Sequence, residues 1–438
     1  MVEPINELDV LWSWKEKKNV NAELRHPIKN YRKKDGPEIL LCHDMKGGYL
    51  PEESEEGITF DPNQQPYIFL NWWHIDIFCY FSHNFITIPP FSYTKLAHEH
   101  GCLSLGTFIT EWKPGAARCS KFLDSPEKIE DTVVALVNIA EYHGFDGWLI
   151  NIENVLKCEE VDNMIEFVRL LTVRSRSINP NSRVIWYDSV LHNGRLHWQN
   201  ALNDKNVNFY NACDGIYLNY NWTDEMLLDS ADFGKLNKIF VGIDVFARGC
   251  LGGFDTWKSM SRIHLLRMST AIFAPGWICE KFPDKDQVEM GIRFWTMLLP
   301  YAPPRRLKSA ELETDFSFGV KIHENEKRFN LSSISLQPQC LSNKCYPTLE
   351  GLLFSEPGSF TIFNFDCHVE ELSVEFHHDD YLTVKVNEEI YNDNSDELQS
   401  GKGISTLRIK KPLDLISIDV ITYKPNVILK RLKISHNK

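Results

Sequence analysis

Between residue 75 and about residue 320, short apolar runs of strand length alternate with longer amphipathic stretches of helical length. The predicted helices cover residues 93–100, 126–143, 161–175 and 287–298. The predicted strands cover residues 75–82, 102–112, 144–154, 183–189, 215–222, 240–249 and 271–277, with 314–319 as the candidate for an eighth. Strands that alternate with helices predict a parallel sheet, and eight such units favour a closed (β/α)8 barrel of the α/β class. Residues 1 to about 60 are polar and rich in turn signals, and no strand is predicted there.

After about residue 325 the hydrophobic pattern changes to an alternation of period two, as in 359–366 and 381–386. Turn signals follow at 392–395 and 401–403. This pattern is typical of antiparallel strands and favours a sandwich-like unit. The chain is therefore predicted to contain two domains: residues 1–325, an N-terminal segment plus the catalytic barrel, and residues 326–438, a β-rich accessory domain.

The stretch 144–154 contains two polar residues in a run otherwise suited to burial. Side chains alternate between the faces of a strand, so Asn151 and Glu153 share one face, while Trp148 and Ile150 share the other. Burying an amide or a carboxylate without a partner costs several kcal/mol. At the carboxyl end of a barrel strand the same two groups could perform chemistry. The alternative is that Glu153 caps a helix or lies on the surface just beyond a strand.

Other predicted strands also end in polar or aromatic residues. These residues are Glu111, Trp112, Tyr187, Asp188, Asn219, Trp222, Asp244, Phe246 and Trp277. In a (β/α)8 barrel the carboxyl ends of the strands converge on the face that carries active sites. The convergence favours a functional interpretation of Glu153 over a surface one.

Composition restricts the classes of partner. A formal net charge of -13 argues against a nucleic-acid or anionic-membrane partner. The basic runs at 15–18 and 32–34 are interpreted as solvated faces. The amino terminus lacks the pattern of a secretory signal and no apolar run is long enough to span a membrane, so a soluble, intracellular protein is expected.

The sequence also predicts that neither a metal nor a cofactor is used. The 11 cysteines are scattered without Cys-x-x-Cys or Cys/His spacing, which indicates reduced thiols rather than a zinc site. Cys340 and Cys345 lie five positions apart, but neither a His nor a further Cys completes a metal-binding set. No glycine-rich phosphate loop follows the first predicted strand, which counts against nucleotide binding.

A barrel with a glutamate at a strand end and aromatic residues around it suggests glycoside hydrolysis. Most such enzymes use two carboxyl groups, about 5 Å apart for retention and about 6.5 to 9.5 Å apart for inversion. The neighbour of Glu153 on its own strand face is instead the amide of Asn151, which cannot act as a base or nucleophile. An amide could hold a substrate acetamido group whose own oxygen attacks the anomeric carbon. Asp188 and Asp244 are the possible second carboxylates if that interpretation fails, although Asp188 faces away from Tyr187 and is better explained as structural.

Several motifs resemble the cytosolic endo-β-N-acetylglucosaminidases of glycoside hydrolase family 85. They are Asp146-Gly-Trp-Leu-Ile-Asn151-Ile-Glu153-Asn154, His43-Asp-Met-Lys-Gly-Gly-Tyr49, Asp76-Ile-Phe-Cys-Tyr-Phe-Ser82, Leu105-Gly-Thr-Phe-Ile-Thr-Glu-Trp112, Trp186-Tyr-Asp-Ser189, Gly242-Ile-Asp-Val-Phe-Ala-Arg248 and Thr314-Asp-Phe-Ser-Phe-Gly319. The resemblance covers the barrel and not the second domain.

The resemblance implies cleavage of the β-1,4 bond in the N,N'-diacetylchitobiose core of N-glycans, with retention through an oxazoline-type intermediate. It makes Glu153 the general acid and then base, while Asn151 holds the 2-acetamido group with support from the hydroxyl of Tyr187. The implied substrates are N-glycans of free oligosaccharides or misfolded glycoproteins in the cytosol. The residues that would bind the sugars are Trp222, Phe246, Asp244, Trp112 and Trp277, with core packing as the alternative for Trp112 and Trp277.

Two other functions compete with this one. A chitinase-like hydrolase typically carries Asp-Gly-x-Asp-x-Asp-x-Glu, but Leu149 and Asn151 stand at the positions of its two inner aspartates. A barrel that binds N-acetylglucosamine without cleaving it usually loses the acid, whereas Glu153 is present. Both departures favour the endoglycosidase.

Overall fold

The computed structural model describes residues 2–17, 21–31, 35–61, 63, 65–391, 398–401 and 403–437. The first ten strands in these residues are β1 (Ile39–Asp44), β2 (Ile58–Thr59), β3 (Ile77–Phe81), β4 (Ile86–Thr87), β5 (Leu103–Glu111), β6 (Gly147–Glu153), β7 (Arg183–Tyr187), β8 (Gly215–Leu218), β9 (Ile239–Asp244) and β10 (Ser269–Phe273). The helices are α1 (Leu8–Trp12), α2 (Phe91–Glu99), α3 (Trp112–Phe122), α4 (Pro126–His143), α5 (Val161–Ile178), α6 (Val207–Ala212), α7 (Asp224–Ser230), α8 (Thr256–Leu265), α9 (Trp277–Lys281) and α10 (Gln287–Leu298).

Eight parallel strands close into a barrel. Going around it, β1 is followed by β3, β5, β6, β7, β8, β9 and β10, and β10 pairs with β1 to complete the ring. The seven strands predicted between residues 75 and 277 are confirmed as β3 and β5 to β10. The predicted (β/α)8 fold class is therefore confirmed.

The predicted eighth barrel strand, 314–319, is wrong. Thr314 ends a short strand that pairs antiparallel with the last strand of the chain, and Phe318 begins a hairpin strand outside the barrel. The missing barrel strand is β1, near the amino terminus, with parallel neighbours on both sides. Its interior-facing Leu40 and Cys42 are fully buried, as strand closure requires.

Two layers of apolar side chains hold the barrel. The interior layer is narrow and includes Leu149 on β6. The larger layer, between strands and helices, includes Trp148, Ile150 and Ile152 from the other face of β6. Ile150 and Ile152 are fully buried, and burying such a side chain contributes ~1.5–3 kcal/mol. The alternation predicted for this strand is therefore confirmed.

Helix α4 sets the entry of the chain into β6. The Ser125 hydroxyl accepts a hydrogen bond from the Lys128 amide, and Pro126 occupies the first turn. The helix ends at Gly144, whose φ of 74° is left-handed. A Cβ there would also lie 2.4 Å from the Leu24 carbonyl oxygen, so a larger residue would displace the amino-terminal segment. These caps confirm the helix predicted over 126–143.

The carboxyl-terminal third is built of antiparallel sheets, as predicted. Its strands are β11 (Leu312–Thr314), β12 (Phe318–His323), β13 (Glu326–Ile334), β14 (Cys345–Thr348), β15 (Gly351–Phe354), β16 (Gly358–Val369), β17 (Glu371–His378), β18 (Leu382–Val386), β19 (Glu389–Tyr391), β20 (Leu398–Gly401), β21 (Ile404–Ile409), β22 (Leu413–Thr422) and β23 (Val427–Asn437). One sheet centres on β23 and β17, and a second pairs β16, β22, β18 and β19. Alternating buried positions along β17 match the period-two pattern in the sequence.

The barrel and the antiparallel sheets share contacts. The Trp73 indole donates a hydrogen bond of 2.6 Å to the Gln337 carbonyl, and β13 pairs with β2 from the amino-terminal region. The predicted domain boundary at residue 325 falls in the turn between β12 and β13 and stays a prediction.

The predicted turn at 392–395 and the basic run at 32–34 lie outside the described residues, as do residue 18 of the run 15–18 and residue 402 of the turn at 401–403. Within the described part of the chain, no helix is both long enough and apolar enough to cross a membrane.

Candidate active site

A cavity of about 370 Å³ opens at the carboxyl ends of the barrel strands. We call it the mouth cavity. The polar residues that line it include Asp44, Glu111, Asn151, Glu153, Tyr187 and Asp244. Strands β1, β5, β6, β7 and β9 each contribute at least one of these side chains, so the convergence predicted from the strand ends is seen in the structure. This is the end of a (β/α)8 barrel where active sites lie.

Asn151 and Glu153 project side by side from β6 into the mouth cavity. Asn151 is only 4% exposed, and its amide makes no hydrogen bond to any residue that the structure describes. The amide atoms are open to the cavity, where they can form hydrogen bonds with a polar group of a ligand.

The Glu153 carboxyl group is suited to carry a proton at neutral pH. Burial raises its pKa to about 7, and the negative charge of the neighbouring Glu111 acts in the same direction. The Trp198 indole, the His83 imidazole and the Arg248 guanidinium act in the opposite direction. A carboxyl group with a pKa near 7 can both donate and accept a proton at physiological pH, as general acid–base catalysis requires.

Glu111 and His83 belong to the site, although the sequence did not identify them as functional. In the parallel ladder between β5 and β6, Glu111 is paired with Glu153. His83, in the loop after β3, places its Nδ1 3.3 Å from the Glu111 Oε2. Glu111 was visible only as a polar strand end, and no signal in the sequence pointed to His83.

The end of β5 is fixed by a close approach of α3. Trp112, directly after Glu111, has a left-handed φ of 54°, which turns the chain sharply from strand to helix. A Cβ on Gly115 would lie 2.6 Å from the Asn154 Oδ1 and 2.8 Å from the Thr110 backbone. Because glycine lets α3 pack this closely, it holds the ends of β5 and β6 in register.

Tyr187 lies inside the cavity at the end of β7, and its hydroxyl donates a hydrogen bond of 2.8 Å to Asn219 Oδ1. The Asn219 amide donates in turn to Asn200 Oδ1 at 2.8 Å. Asn200 has a left-handed φ of 56°, and its backbone N–H donates to Asp188 at 2.7 Å. Burial raises the pKa of Tyr187, so its hydroxyl stays protonated.

Asp188 is fully buried directly after the end of β7 and does not line the mouth cavity. It accepts hydrogen bonds from the backbone of Gln199 and Asn200 and from the Asn206 amide. Asp188 therefore holds the loop that follows β7, which is the structural placement that the sequence indicated.

Asp244 lines the mouth cavity at the end of β9 and forms a two-pronged ion pair with Arg248. The Arg248 Nε lies 2.8 Å from one carboxylate oxygen, and a terminal guanidinium nitrogen lies 3.2 Å from the other. With its carboxylate engaged in this way, Asp244 presents an Arg248 guanidinium to the cavity rather than a free acid.

The four predicted sugar-binding aromatic residues lie outside the lining of the mouth cavity. Phe246 packs against the interior cluster, with the Arg248 guanidinium 5.1 Å from its ring centre. Trp222 is half-buried and donates its indole N–H to the Gly242 carbonyl at 2.8 Å. Trp277 packs edge-on against the ring of Phe254, with 5.5 Å between the ring centres.

Trp112 differs from these because its side chain is 64% exposed beside the cavity entrance. Its backbone turn places the indole at the start of α3, on the outer rim. The Phe, Tyr and Trp residues that do line the cavity are Phe81, Tyr187, Trp198, Tyr217, Tyr220 and Phe273.

A larger cavity of about 700 Å³ lies at the opposite end of the barrel, under the amino-terminal segment. Both acids in its lining are already engaged: Glu141 pairs with Arg25 at 3.0 Å, and the other acid is Asp146. It lies 2.8 Å from His98 Nε2 and accepts from the Ser104 N–H and the Asn179 amide. At this end of a barrel such residues stabilise the fold, so the mouth cavity is the better candidate for chemistry.

A closed (β/α)8 barrel with a proton-carrying carboxyl group and a buried amide at its carboxyl end has the architecture of a glycoside hydrolase. Residues 49–329 match the sequence model of Glycosyl hydrolase family 85, and the chain belongs to this family. The matched region includes Asn151, Glu153 and Tyr187. The resemblance drawn from the motifs is thereby confirmed.

Relatives from animals and plants support the assignment. The chain is 42% identical over 345 residues to the "Cytosolic endo-beta-N-acetylglucosaminidase" of Gallus gallus, covering 76% of this chain and 46% of the relative. It is 44% identical over 290 residues to the Homo sapiens protein of that name, covering 65% of this chain and 38% of that protein. It is 38% identical over 322 residues to "Cytosolic endo-beta-N-acetylglucosaminidase 1" of Arabidopsis thaliana, covering 69% of this chain and 46% of that protein. The chain thus spans about half the length, or less, of these curated relatives.

A solved structure shares the fold. The glycoside hydrolase domain of Endo-D from Streptococcus pneumoniae superposes with a TM-score of 0.73 at 15% identity, covering 100% of this chain and 83% of that chain. The similarity extends over the barrel and the antiparallel sheets together.

Proposed function

We propose that this chain is an endo-β-N-acetylglucosaminidase that cleaves the β-1,4 bond in the N,N'-diacetylchitobiose core of N-glycans. Glu153 protonates the leaving oxygen and then activates water, and the 2-acetamido oxygen of the substrate serves as the nucleophile. The reaction retains anomeric configuration through an oxazoline-type intermediate. The observation that carries the proposal is the pair of Asn151 and Glu153 on one strand face inside the mouth cavity.

Asn151 supports the substrate-assisted route because its amide is buried, without a partner among the described residues, and beside the acid. An acetamido group has one N–H donor and one carbonyl acceptor, which complement the amide of an asparagine. Held in this way, the acetamido oxygen can be placed close to the anomeric carbon, and such orientation lowers the barrier to attack.

A second mechanism follows from the neighbour of Glu153 on β5. Glu111 could act as the nucleophile of an ordinary two-carboxylate retaining enzyme. Against this, Glu111 and Glu153 emerge from adjacent strands at the same level, with Glu111 bound to His83. An acid and a nucleophile must approach the anomeric centre from different sides, so the arrangement favours the acetamido group as nucleophile.

The proposed function is tested with a high-mannose glycopeptide incubated with the chain and followed by mass spectrometry. We expect a released glycan one N-acetylglucosamine short, with that residue left on the peptide. A chitooligosaccharide offered in parallel separates this function from the chitinase-like alternative. Binding of the glycopeptide without cleavage would mean that the barrel is a carbohydrate-binding module.

The network behind Tyr187 gives a smaller prediction. We expect Asn219→Ala to lower kcat/KM for the glycopeptide about tenfold, the effect of losing a hydrogen bond worth about 1–1.5 kcal/mol. The Tyr187 hydroxyl donates a hydrogen bond to Asn219. Asn219→Ala and Tyr187→Phe therefore remove the same hydrogen bond.

Steady-state kinetics of Asn219→Ala, Tyr187→Phe and the double variant check this prediction. The double variant should be little worse than Tyr187→Phe alone, because residues in one network are not additive. Strictly additive losses would show that Asn219 acts independently of Tyr187.

The proposal has further parts, of which the names of the relatives support the cytosolic location. We place the activity in the cytosol, on N-glycans of free oligosaccharides or misfolded glycoproteins, without a cofactor or metal. We also propose that residues 1–325 carry the catalysis and that residues 326–438 are an accessory domain. The contact between Trp73 and Gln337 supports a bracing role for that domain.

A further inference from the structure

The charged groups next to Glu153 suggest how its protonation is controlled. We propose that Glu111 is a positioning residue whose carboxylate keeps Glu153 protonated, and that His83 holds Glu111 in place for this task. The inference rests on the proposed function, because it assigns Glu153 the role of general acid.

The strand register brings the two carboxyl groups together. Glu111 and Glu153 are paired in the ladder of β5 and β6, just as Ile109 and Asn151 are two residues earlier. Neighbouring strands lie about 4.8 Å apart, and both side chains face the barrel interior. Carboxylates at paired positions repel each other when both are ionised, so the charge of Glu111 favours the protonated form of Glu153.

His83 holds Glu111 in position. Its Nδ1 lies 3.3 Å from Glu111 Oε2, and the contact with Glu111 raises the pKa of His83. This contact keeps the Glu111 side chain beside the end of β6 and close to Glu153. Because His83 is exposed at the cavity entrance, it neutralises Glu111 only in part.

Three other titratable groups near Glu153 have smaller effects on its protonation than Glu111 or none: Asp44, Arg248 and Tyr187. Asp44, at the end of β1, faces His83 and contributes to raising the pKa of His83. Arg248 opposes protonation of Glu153 but is bound through two hydrogen bonds to Asp244. Tyr187, at the end of the neighbouring strand β7, is a neutral phenol. Glu111 is therefore the negative charge with the largest effect on Glu153.

The backbone prevents Glu111 from moving away. It is the last residue of β5 with extended φ and ψ of −134° and 143°, and the left-handed Trp112 follows at once. The close packing at Gly115 fixes the start of α3 against β5 and β6. The Glu111 backbone is therefore fixed next to the end of β6, and the contact with His83 restrains its side chain.

The test is the pH dependence of kcat/KM on the glycopeptide, which reports the ionisation of the free enzyme. Activity needs protonated Glu153, so it falls on the alkaline side as Glu153 ionises. We expect Glu111→Gln to shift this alkaline limb down by about 1 pH unit, because a repelling charge is removed. We expect His83→Gln to shift it up by about half a unit, because an attracting charge is removed.

Two further variants complete the design. Glu111→Asp keeps the charge, so its alkaline limb should stay close to that of the unmodified chain. Glu225→Gln, at an exposed position on α7, should leave the profile unchanged. Opposite shifts from Glu111→Gln and His83→Gln cannot come from general destabilisation, which would lower activity at every pH.

The inference is overturned if the alkaline limbs of Glu111→Gln and His83→Gln both stay unshifted or both move in the same direction. A loss of about 10⁴-fold or more in folded Glu111→Gln would also overturn it, since Glu111 would then be the nucleophile. If the unmodified chain releases no glycan at all, the proposed function fails; release with unshifted limbs rejects only the role of Glu111.

Discussion

Replacing Glu153 by glutamine is expected to lower glycan release by about 10²–10⁴-fold, the usual contribution of a general acid–base residue. Glutamine has nearly the same shape as glutamate but cannot donate its proton to the leaving oxygen. The substitution removes chemistry with little change in packing at the end of β6. Glycopeptide cleavage followed by mass spectrometry measures the loss, and KM should change much less than kcat.

The same variant should be more stable than the unmodified chain at alkaline pH. Burial raises the pKa of Glu153 to about 7 in the folded protein, above the ordinary value near 4.5 of the unfolded chain. Between pH 4.5 and about pH 7, Glu153 holds its proton in the folded state but has lost it in the unfolded chain. The free energy of unfolding therefore falls as pH rises through this range. Glutamine does not ionise, and Glu153→Gln should gain roughly 1 to 3 kcal/mol over the unmodified chain at pH 8.

Thermal unfolding at pH 5 and pH 8 checks this expectation. At pH 5 the two proteins should unfold at nearly the same temperature. At pH 8, Glu153→Gln should unfold at a higher temperature than the unmodified chain. Surface Glu225→Gln serves as the control and should change neither activity nor the pH dependence of stability. A Glu153→Gln protein with unaltered glycan release would rule out Glu153 as the acid.

The barrel could be predicted from local patterns because each of β3 and β5 to β10 is an apolar run bounded by turn or helix signals. Strand β1 could not, since Ile39–Asp44 is a short run inside a polar region and no α-helix of the described residues lies between it and β3. Counting units from residue 75 then led to Thr314, whose strand belongs to the antiparallel sheets. Barrel closure depends on which strands pair, and pairing is not a local property of the chain.

The site was predictable to the extent that it lies on one strand. Period-two alternation placed Asn151 and Glu153 together, and both line the mouth cavity. The neighbour Glu111 depends on the register between β5 and β6, and His83 depends on the path of a loop. Aromatic residues such as Trp222 lie after the strands, where loop conformation and not alternation sets their direction.

Replacing Asn151 separates substrate assistance from a two-carboxylate mechanism. We expect Asn151→Ala to lower glycan release by about 10²-fold or more, because the acetamido group is no longer oriented for attack and an effect of that size costs about 2.7 kcal/mol in the barrier. A preformed oxazoline donor already contains the bond that Asn151 helps to form. Asn151→Ala should therefore still use that donor, with Glu153 as the base that activates the acceptor.

Asn151→Asp adds an electrostatic test. A carboxylate at 151 would lie beside Glu153 and Glu111, raise the pKa of Glu153 further and lose the N–H donors of the amide. It should hydrolyse the glycan poorly at neutral pH, while Asn221→Ala, an amide at the exposed rim of the same cavity, should retain most activity. Full hydrolysis by Asn151→Ala, with no change in use of the oxazoline donor, would show that the acetamido group is not the nucleophile. The carboxylate of Glu111 would then be the remaining candidate next to the acid.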